Sequence, residues 1–282
     1  MRVLVTGAGG LLGTALVREF TREHDVRALT HHDLDISDDA AVAAAVDDAG
    51  ADLVVNCAAY NGVDRAEDDA VNALEINAMG VLALARAAAD AGAMLVHYST
   101  DFVFDGETDR PYVEEDRPNP RGVYGTSKLL GDWFALERPR AYVLRVESLF
   151  GDPPPDSTRR GSLATIVDRI RAGDEVPVFV DRTVSPGYTT DIARATRAVV
   201  EGRAEPGLYH CANSGATTWA EIAAEAARVL GRPLRSRAIT LESANLRARR
   251  PRYCALSNAK LAAAGVPMPP WQDAVARFLR ET

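Results

Sequence analysis

Residues 1–16 read MRVLVTGAGGLLGTAL, an apolar run followed at once by closely spaced glycines and an apolar helical pattern. The apolar run predicts a buried strand, and the glycines Gly7, Gly10 and Gly13 predict a tight turn into a helix. Glycine permits positive φ in such a turn and lets the backbone approach a phosphate with no Cβ in the way. Because helix N-termini bind anions, the stretch predicts a dinucleotide site, with a plain tight turn as the alternative. The predicted contacts there are Gly7, Gly9, Gly10, Leu11, Leu12 and Gly13.

Short apolar runs alternate with longer Ala-rich helical patterns along the first half of the chain. This alternation is typical of a parallel sheet with helices on both faces. The predicted strands are Arg2–Thr6, Val26–Leu29, Leu53–Asn56, Met94–Tyr98 and Tyr142–Val146. The predicted helices are Leu11–Arg22, Asp39–Asp48, Ala70–Ala91 and Tyr124–Leu136. Right-handed crossovers between these strands predict an α/β fold with a doubly wound parallel sheet, the Rossmann arrangement.

The pattern changes from Gly151, where a Pro-rich and polar segment over 152–160 predicts a loop. Later elements are predicted at Leu163–Ala172 (helix), Val176–Val180 (strand), Thr190–Glu201 (helix), Gly207–Ala212 (strand), Thr218–Leu230 (helix) and from Trp271 (helix). Two domains are therefore expected. Residues 1–150 with parts of 176–212 form an NAD(P)-binding Rossmann domain, and the remaining segments of 151–282 form a smaller α/β substrate-binding domain.

Composition and charge limit the classes of function. The 282 residues are 47% hydrophobic and 26% charged, the usual balance of a globular protein, and the net charge of −8 disfavours binding to nucleic acid. An anionic ligand therefore needs a local site, and the Arg-rich stretch 247–252 is either such a site or a solvated surface. The three cysteines have no metal-binding spacing, and no apolar stretch approaches ~20 residues. We expect no metal, no membrane contact and a cytoplasmic location.

The second predicted strand lacks the acidic residue that commonly ends it and binds the adenosine ribose. Leu29 is followed by Thr-His-His, so NADPH is expected to bind at least as well as NADH. His31 or Arg27 could meet a 2′-phosphate, although a solvated surface histidine is an equal alternative. Asp35 and Ile36 are candidates for contacts to adenine, with a helix-capping role for the carboxylate as the alternative.

The candidate catalytic groups follow two predicted strands and begin a helix. Tyr124 and Lys128 are spaced i, i+4 on one helix face, and a neighbouring ammonium lowers the phenol pKa from its usual value of about 10. Thr100 follows the fourth strand, where its hydroxyl could polarise a substrate carbonyl in the crevice shared with the glycine turn. Further residues at these strand ends are expected to line the cofactor: Cys57, Ala58, Ala59, Tyr60 and Ser99.

With the spaced glycines, the stretch STDFVFDG at 99–106 and the Tyr-x-x-x-Lys pair, the chain resembles the extended short-chain dehydrogenases. More closely, and nearly end to end, it resembles the dTDP-4-dehydrorhamnose reductase family. The resemblance implies reduction of a 4-keto nucleotide sugar by NADPH or NADH, with Thr100, Tyr124 and Lys128 as the catalytic triad. It implies that hydride reaches the sugar C4, that Tyr124 protonates the oxygen and that Lys128 holds the nicotinamide ribose. The substrate-binding candidates are Val63, Asp101, Phe102, Glu147 and Arg250.

Two stretches depart from the family pattern where substrate is expected. An Arg-Thr-Ser-aromatic run is replaced after Arg145 by Val-Glu-Ser-Leu, which adds the carboxylate Glu147. An Asp-Gln-x-Gly-x-Pro-Thr stretch is replaced by Asp-Arg-Thr-Val-Ser-Pro-Gly at 181–187. The sugar therefore stays open. The alternatives are another sugar 4-ketoreductase, a 3,5-epimerase-reductase, a ketoreductase of natural-product biosynthesis or a non-catalytic cofactor-binding regulatory subunit, with a homodimer as an open possibility. A dehydratase is disfavoured because Phe102, not Glu, follows Asp101.

Overall fold

The computed structural model describes residues 1–152, 154 and 161–281, and its centre is a six-stranded parallel sheet. The strands are β1 (Arg2–Thr6), β2 (Asp25–Leu29), β3 (Leu53–Asn56), β4 (Met94–Thr100), β5 (Ala141–Val146) and β6 (Gly207–His210). They lie in the order β2, β1, β3, β4, β5, β6, and every neighbouring pair is parallel. The predicted doubly wound sheet is confirmed. The order reverses between β1 and β3, the position at which such sheets bind ligands beyond the carboxyl ends of their strands.

The helices are α1 (Leu11–Phe20), α2 (Asp39–Ala49), α3 (Val63–Ala66), α4 (Ala70–Leu74), α5 (Gly80–Asp90), α6 (Val123–Leu136), α7 (Ser162–Ala172), α8 (Thr189–Ala198), α9 (Trp219–Leu230), α10 (Ala259–Ala263) and α11 (Trp271–Glu281). A π-helical turn over Glu75–Met79 joins α4 to α5, a second over Val199–Arg203 follows α8, and a 3₁₀ turn covers Asp101–Val103. The shorter strands are Leu149–Phe150, Val176–Phe179, Thr183–Val184, Gly187–Tyr188, Thr217–Thr218 and Ser236–Ile239.

Three apolar clusters hold these elements together. On one face of the sheet, α1 and α8 bury side chains such as Phe20 and Ile192. On the other face, α2 and α5 bury side chains such as Val42 and Leu84. The third cluster lies in the C-terminal part and joins α7, α9 and α11, with Trp219 among its members. The presence of this separate core agrees with a substrate-binding part of its own in the C-terminal half. The boundaries of that part stay a prediction.

The predicted helix Ala70–Ala91 is interrupted by its π-helical turn. The turn carries Asn77, whose buried amide accepts a hydrogen bond from the Tyr60 N–H and donates to Ser127 Oγ. By length and composition alone, the span Ala70–Asp90 could cross a membrane, with mean hydropathy 1.2 over 18 residues. This corrects the expectation that no apolar stretch approaches ~20 residues. Half of that window is buried inside the protein, where Leu84 packs against the sheet.

The strands outside the central sheet were harder to predict. The predicted strand at 176–180 forms over Val176–Phe179, but it pairs in parallel with Ser236–Ile239 rather than with the central sheet. Ser236–Ile239 was not predicted because most of its side chains are exposed and its sequence has no apolar run. Most of the predicted loop at 152–160 lies outside the described residues.

Candidate active site

The turn after β1 has the backbone geometry of an anion site. Gly7 has φ of 64°, and a Cβ at that position would lie 2.5 Å from the backbone nitrogen of Ala58, so only glycine fits. Gly10 is the N-cap of α1, has an extended backbone and supplies no side chain to cap the helix. The first N–H groups of α1 therefore point toward the crevice without a side-chain acceptor, an arrangement that fits a pyrophosphate.

The carboxyl ends of β3, β4 and β5 and the start of α1 enclose a crevice of about 270 Å³. It is lined by these predicted residues: Gly10, Leu11, Leu12, Gly13, Cys57, Ala58, Ala59, Val63, Ser99, Thr100, Asp101, Phe102, Tyr124, Lys128 and Glu147. Sequence reasoning assigned no site role to five further lining residues: Asn61, Tyr98, Val146, Ser148 and Leu149. The structure thus brings all three predicted catalytic residues into one cavity with the start of α1.

Other predicted residues lie outside this crevice, and three of them have protein partners. Asp35 accepts hydrogen bonds from the N–H and hydroxyl of Ser37, and the side chain that caps α2 is that of Asp38. Ile36 is buried in the core next to α5. The Tyr60 hydroxyl donates to an oxygen of Asp69 over 2.9 Å. Gly7 and Gly9 lie in the turn behind the crevice, His31 is exposed after β2, and Arg250 lines a neighbouring cavity.

Close packing at the start of α6 positions Tyr124. A Cβ on Gly125 would collide with the carbonyl oxygen of Phe102, so glycine lets α6 approach the 3₁₀ turn. The Tyr124 and Phe102 rings meet edge to face with centroids 5.5 Å apart. Burial, followed by the nearby Asp101 carboxylate, raises the pKa of Tyr124 to about 12. The expected lowering of the Tyr124 pKa by Lys128 is not found, because burial dominates and the Lys128 ammonium is bonded to the Tyr98 carbonyl oxygen instead.

Lys128 is buried and has two partners on β4. Its Nζ donates to the carbonyl oxygen of Tyr98 over 2.6 Å and lies 3.3 Å from Nε2 of His97. Burial lowers the pKa of Lys128 to about 8, and it lowers that of His97 well below its usual value, so the imidazole is neutral. A neutral imidazole accepts at one nitrogen only, so it accepts either from Lys128 at Nε2 or from the Asn56 amide at Nδ1. Sequence reasoning missed His97. The sequence could have indicated it, because His97 lies in β4 two residues before Ser99, and side chains two residues apart point to the same face of a strand.

Thr100 ends β4 with its hydroxyl already bonded. The Thr100 hydroxyl donates to Oδ1 of Asp101 over 3.0 Å and accepts from the N–H of Phe102 over 3.2 Å. A substrate carbonyl can therefore receive the Thr100 hydrogen only if the hydroxyl rotates away from Asp101.

A buried charged cluster closes the crevice on the side opposite the glycine turn. Nη2 of Arg182 lies 3.4 Å from Oδ2 of Asp101, and Oε2 of Glu147 accepts the Ser185 N–H over 2.6 Å. Asp101, Glu147 and Cys254 place one potential ligand atom each within 4.8 Å of one another. The guanidinium of Arg182 supplies the positive charge at this cluster. Sequence reasoning gave no role to Arg182 or Cys254, although Arg182 belongs to a stretch that departs from the family pattern.

Arg250 lines a second cavity of about 480 Å³. Its guanidinium bonds Oδ2 of Asp64 over 2.7 Å and lies 5.6 Å from the centre of the Phe102 ring. Partial burial opposes ionisation of Asp64, but the N–H of Ala248 and the Arg250 guanidinium outweigh it and lower its pKa. The second cavity is lined by Asp105, Gly106, Glu107, Leu241, Glu242, Leu246, Ala248, Arg249, Arg250 and Arg252. Three arginines and three acidic residues share this lining, so an anionic group would bind there through the arginine side chains in competition with these carboxylates.

Comparison with known proteins places this architecture in a family. The family model described as the RmlD substrate binding domain matches residues 1–282. A dTDP-4-dehydrorhamnose reductase of Mycolicibacterium smegmatis is 37% identical and covers 100% of this chain and 87% of that protein. A probable dTDP-4,6-dihydroxy-2-methyloxan-3-one 4-ketoreductase of Streptomyces antibioticus is 37% identical over 98% of this chain and 93% of the relative. The crystal structure of the Bacillus anthracis dTDP-4-dehydrorhamnose reductase in complex with NADP superposes with a TM-score of 0.93 at 30% identity, over 100% of this chain and 99% of that one. These matches confirm the resemblance seen in the sequence.

Proposed function

The chain belongs to the RmlD family of dTDP-4-dehydrorhamnose reductases, and from this premise we propose that it is an NAD(P)H-dependent reductase of a 4-keto nucleotide sugar. The observation that carries the proposal is the single crevice that holds Thr100, Tyr124 and Lys128 beside the start of α1. A carbonyl reductase needs a hydride donor, a proton donor and a group that polarises the carbonyl. The crevice has room for the hydride donor, and its side chains include a proton donor, Tyr124, and a polarising hydroxyl, that of Thr100.

The residues around the crevice fit a dinucleotide. The turn from Gly7 to Gly13 offers backbone N–H groups to the pyrophosphate, and the small side chains Cys57, Ala58 and Ala59 leave room beyond β3. NAD(P)H, when bound, supplies the hydride. Lys128 is close enough to the crevice for its ammonium to leave Tyr98 and hold a ribose hydroxyl.

Tyr124 acts as the proton donor. With a pKa of about 12 its phenol is protonated at neutral pH, so the proton is in place before the reaction begins. The alkoxide formed at the former carbonyl oxygen is more basic than the phenolate and takes this proton. Thr100 donates a hydrogen bond to the same oxygen after rotating from Asp101, which stabilises the developing negative charge.

The second cavity would hold the diphosphate of the substrate. The protein carries a net charge of −8, so a doubly charged ligand needs a local group of cations. Arg249, Arg250 and Arg252, which line the second cavity, supply that group. Arginine forks bind phosphate oxygens in pairs, which also orients the sugar toward Tyr124.

A second candidate is a ketoreductase that acts on a different 4-keto deoxysugar. It is favoured by the similarity to the probable 4-ketoreductase of Streptomyces antibioticus and by the unusual Glu147 and Arg182 at the substrate side. A regulatory subunit without turnover is less well supported, because such a protein would not need the complete set of Thr100, Tyr124 and Lys128.

Oxidation of NADPH with a panel of dTDP-4-keto-6-deoxy sugars tests the proposal. Turnover with at least one member is expected for the native chain and not for Tyr124→Phe. Cofactor binding without turnover of any member would contradict the reductase and favour the regulatory subunit. The homodimer stays a prediction. The exposed apolar side chains of Val71, Met79 and Trp133 support it, because they could pack against a second copy of the chain. Sedimentation of the purified protein tests it.

A further inference from the structure

The two stretches that depart from the family pattern meet in the folded protein. Glu147 follows β5, and Arg182 precedes the short strand Thr183–Val184. Both are charged where the family pattern has an uncharged residue, and both approach the Asp101 carboxylate. Arg182 lies 3.4 Å from Asp101, and the nearest carboxyl oxygens of Asp101 and Glu147 lie within 4.8 Å of each other. The two departures therefore act on one place, the substrate side of the crevice.

The cluster contains two carboxyl groups and one guanidinium. Two ionised carboxylates this close in a buried site repel each other, so one of them keeps its proton. Asp101 has the Arg182 guanidinium and the Thr100 hydroxyl to hold its ionised form. Burial and the Asp101 charge raise the pKa of Glu147 well above its usual value, and the Arg182 guanidinium and the Ser185 N–H oppose them only in part. Burial raises the pKa of Asp101 as well, but Asp101 has the stronger partners for its ionised form, so Glu147 is the better site for the proton that the pair keeps.

Glu147 then has one hydrogen-bonding atom to spare. Its Oε2 accepts the Ser185 N–H, while Oε1 is buried and has no hydrogen-bond partner among the described residues. A buried polar atom without a partner costs about 1–3 kcal/mol, so a ligand group that bonds Oε1 would recover this cost on binding. Glu147 lines the crevice, and the next residue, Ser148, has the uncommon backbone φ of 45°.

We propose that the Glu147 carboxyl group donates a hydrogen bond from its free oxygen to a hydroxyl group of the sugar. The inference rests on the proposed function and deepens it. The substrate class is a 4-keto nucleotide sugar with a hydroxyl group at the point facing Glu147. A hydrogen atom there leaves the acid without a partner, and an ammonium group there meets the positive charge of Arg182.

Two variants and a set of substrates test the assignment. Glu147→Gln keeps an acceptor for the Ser185 N–H and a donor for the sugar, so kcat/KM should stay within about threefold of the native value. Glu147→Ala removes both and should lower kcat/KM about ten- to hundredfold on the fully hydroxylated dTDP-4-keto sugar. The set contains dTDP-4-keto sugars that each lack one hydroxyl group. For one member, the native chain and Glu147→Ala should differ by less than threefold, because the hydroxyl that Glu147 binds is gone.

A glutamate outside the crevice serves as the matched control. Glu114 is also partly buried and accepts a backbone N–H, that of His210, so Glu114→Gln should change kcat/KM equally for every sugar. Equal losses for Glu147→Ala on every member of the set would make Glu147 structural and overturn the inference. A loss for Glu147→Gln as large as that for Glu147→Ala would overturn the neutral acid. If the native chain reduces none of the sugars, the proposed function itself fails, a different result from turnover without dependence on Glu147.

Discussion

The two walls of the crevice are built in different ways. The cofactor wall consists of the turn after β1, the ends of β3 and β4 and the first turn of α6, so each residue is placed by a strand end or a helix start. The substrate wall is formed by Glu147 together with Arg182 and Arg250, which come from separate segments and support this side from outside the crevice lining. These three side chains are held by a hydrogen bond from a backbone N–H and by ion pairs. A regular sheet fixes the first wall with few special contacts, whereas the second depends on individual side chains. On the proposed function, the fold therefore positions the reacting groups, and individual side-chain contacts select the substrate.

Phe102 is the contact between the two walls. Its ring lies 5.4 Å from the Arg182 guanidinium, 5.6 Å from that of Arg250 and 5.5 Å from the Tyr124 ring. Any change in the substrate wall that shifts this ring also shifts the proton donor. The distinction between the two walls fails if substitutions in both walls have the same effects on turnover, KM and cofactor affinity.

The largest effect is expected from the proton donor. Tyr124→Phe removes the acid and keeps the ring against Phe102, so turnover should fall by roughly 10²–10⁴ while NADPH binding survives. Steady-state rates and titration calorimetry measure the two quantities. Tyr142→Phe is the matched control, because this β5 tyrosine donates to the Ala204 carbonyl away from the crevice. Near-native turnover by Tyr124→Phe would remove Tyr124 from the chemistry.

Lys128→Met should lower activity and raise stability. Desolvation lowers the pKa of Lys128 to about 8 from an unfolded value of 10.5, so the buried ammonium destabilises the native state below about pH 8. This cost disappears as the pH rises toward 10.5, because the unfolded chain then also loses its proton. At pH 7 the substitution should raise the free energy of unfolding by on the order of 1–3 kcal/mol, less the lost bond to Tyr98. Urea unfolding at pH 7 and pH 10 measures it, and an equal gain at both values would contradict this origin.

The substrate wall is tested by Arg250→Ala. Loss of a charged hydrogen bond to phosphate should raise KM for the nucleotide sugar about ten- to hundredfold and leave NADPH affinity unchanged. Arg247→Ala is a suitable control, because Arg247 is exposed, pairs with Asp68 and does not line the cavity. Equal KM values for the two variants would return Arg250 to a purely structural ion pair with Asp64.

The same contrast explains how much could be predicted from the sequence. The central strands, the glycine turn and the Tyr124–Lys128 pair follow from local periodicity and spacing, and the structure brings the pair into the crevice with Thr100. Arg182 and Cys254 reach the cluster through long-range packing, for which one sequence contains no signal. The pKa of Tyr124 was expected in the wrong direction, because spacing reveals a neighbouring ammonium but not burial. The strand Ser236–Ile239 was missed because it is exposed and polar.

The smallest effect concerns the far end of the cofactor wall, where the adenosine ribose would lie. No acid directly follows Leu29, and His31 is exposed next to the turn after β2, so NADPH should bind at least as tightly as NADH. Asp33 was overlooked in the sequence; its carboxylate accepts from the N–H and hydroxyl of Thr30, so it is already engaged. Titration with both cofactors measures the preference, and an NADH preference above about tenfold, roughly 1.4 kcal/mol, would contradict it.

Substitution of the two adjacent histidines shows which side chain is responsible. His31→Ala should weaken NADPH binding several-fold and leave NADH binding unchanged, because only the 2′-phosphate adds charge to be recognised. His32→Ala is the control, since both rings are exposed and their centroids are only 5.9 Å apart. If His31→Ala and His32→Ala bind NADPH equally well, the selectivity arises from the missing acid alone and not from His31.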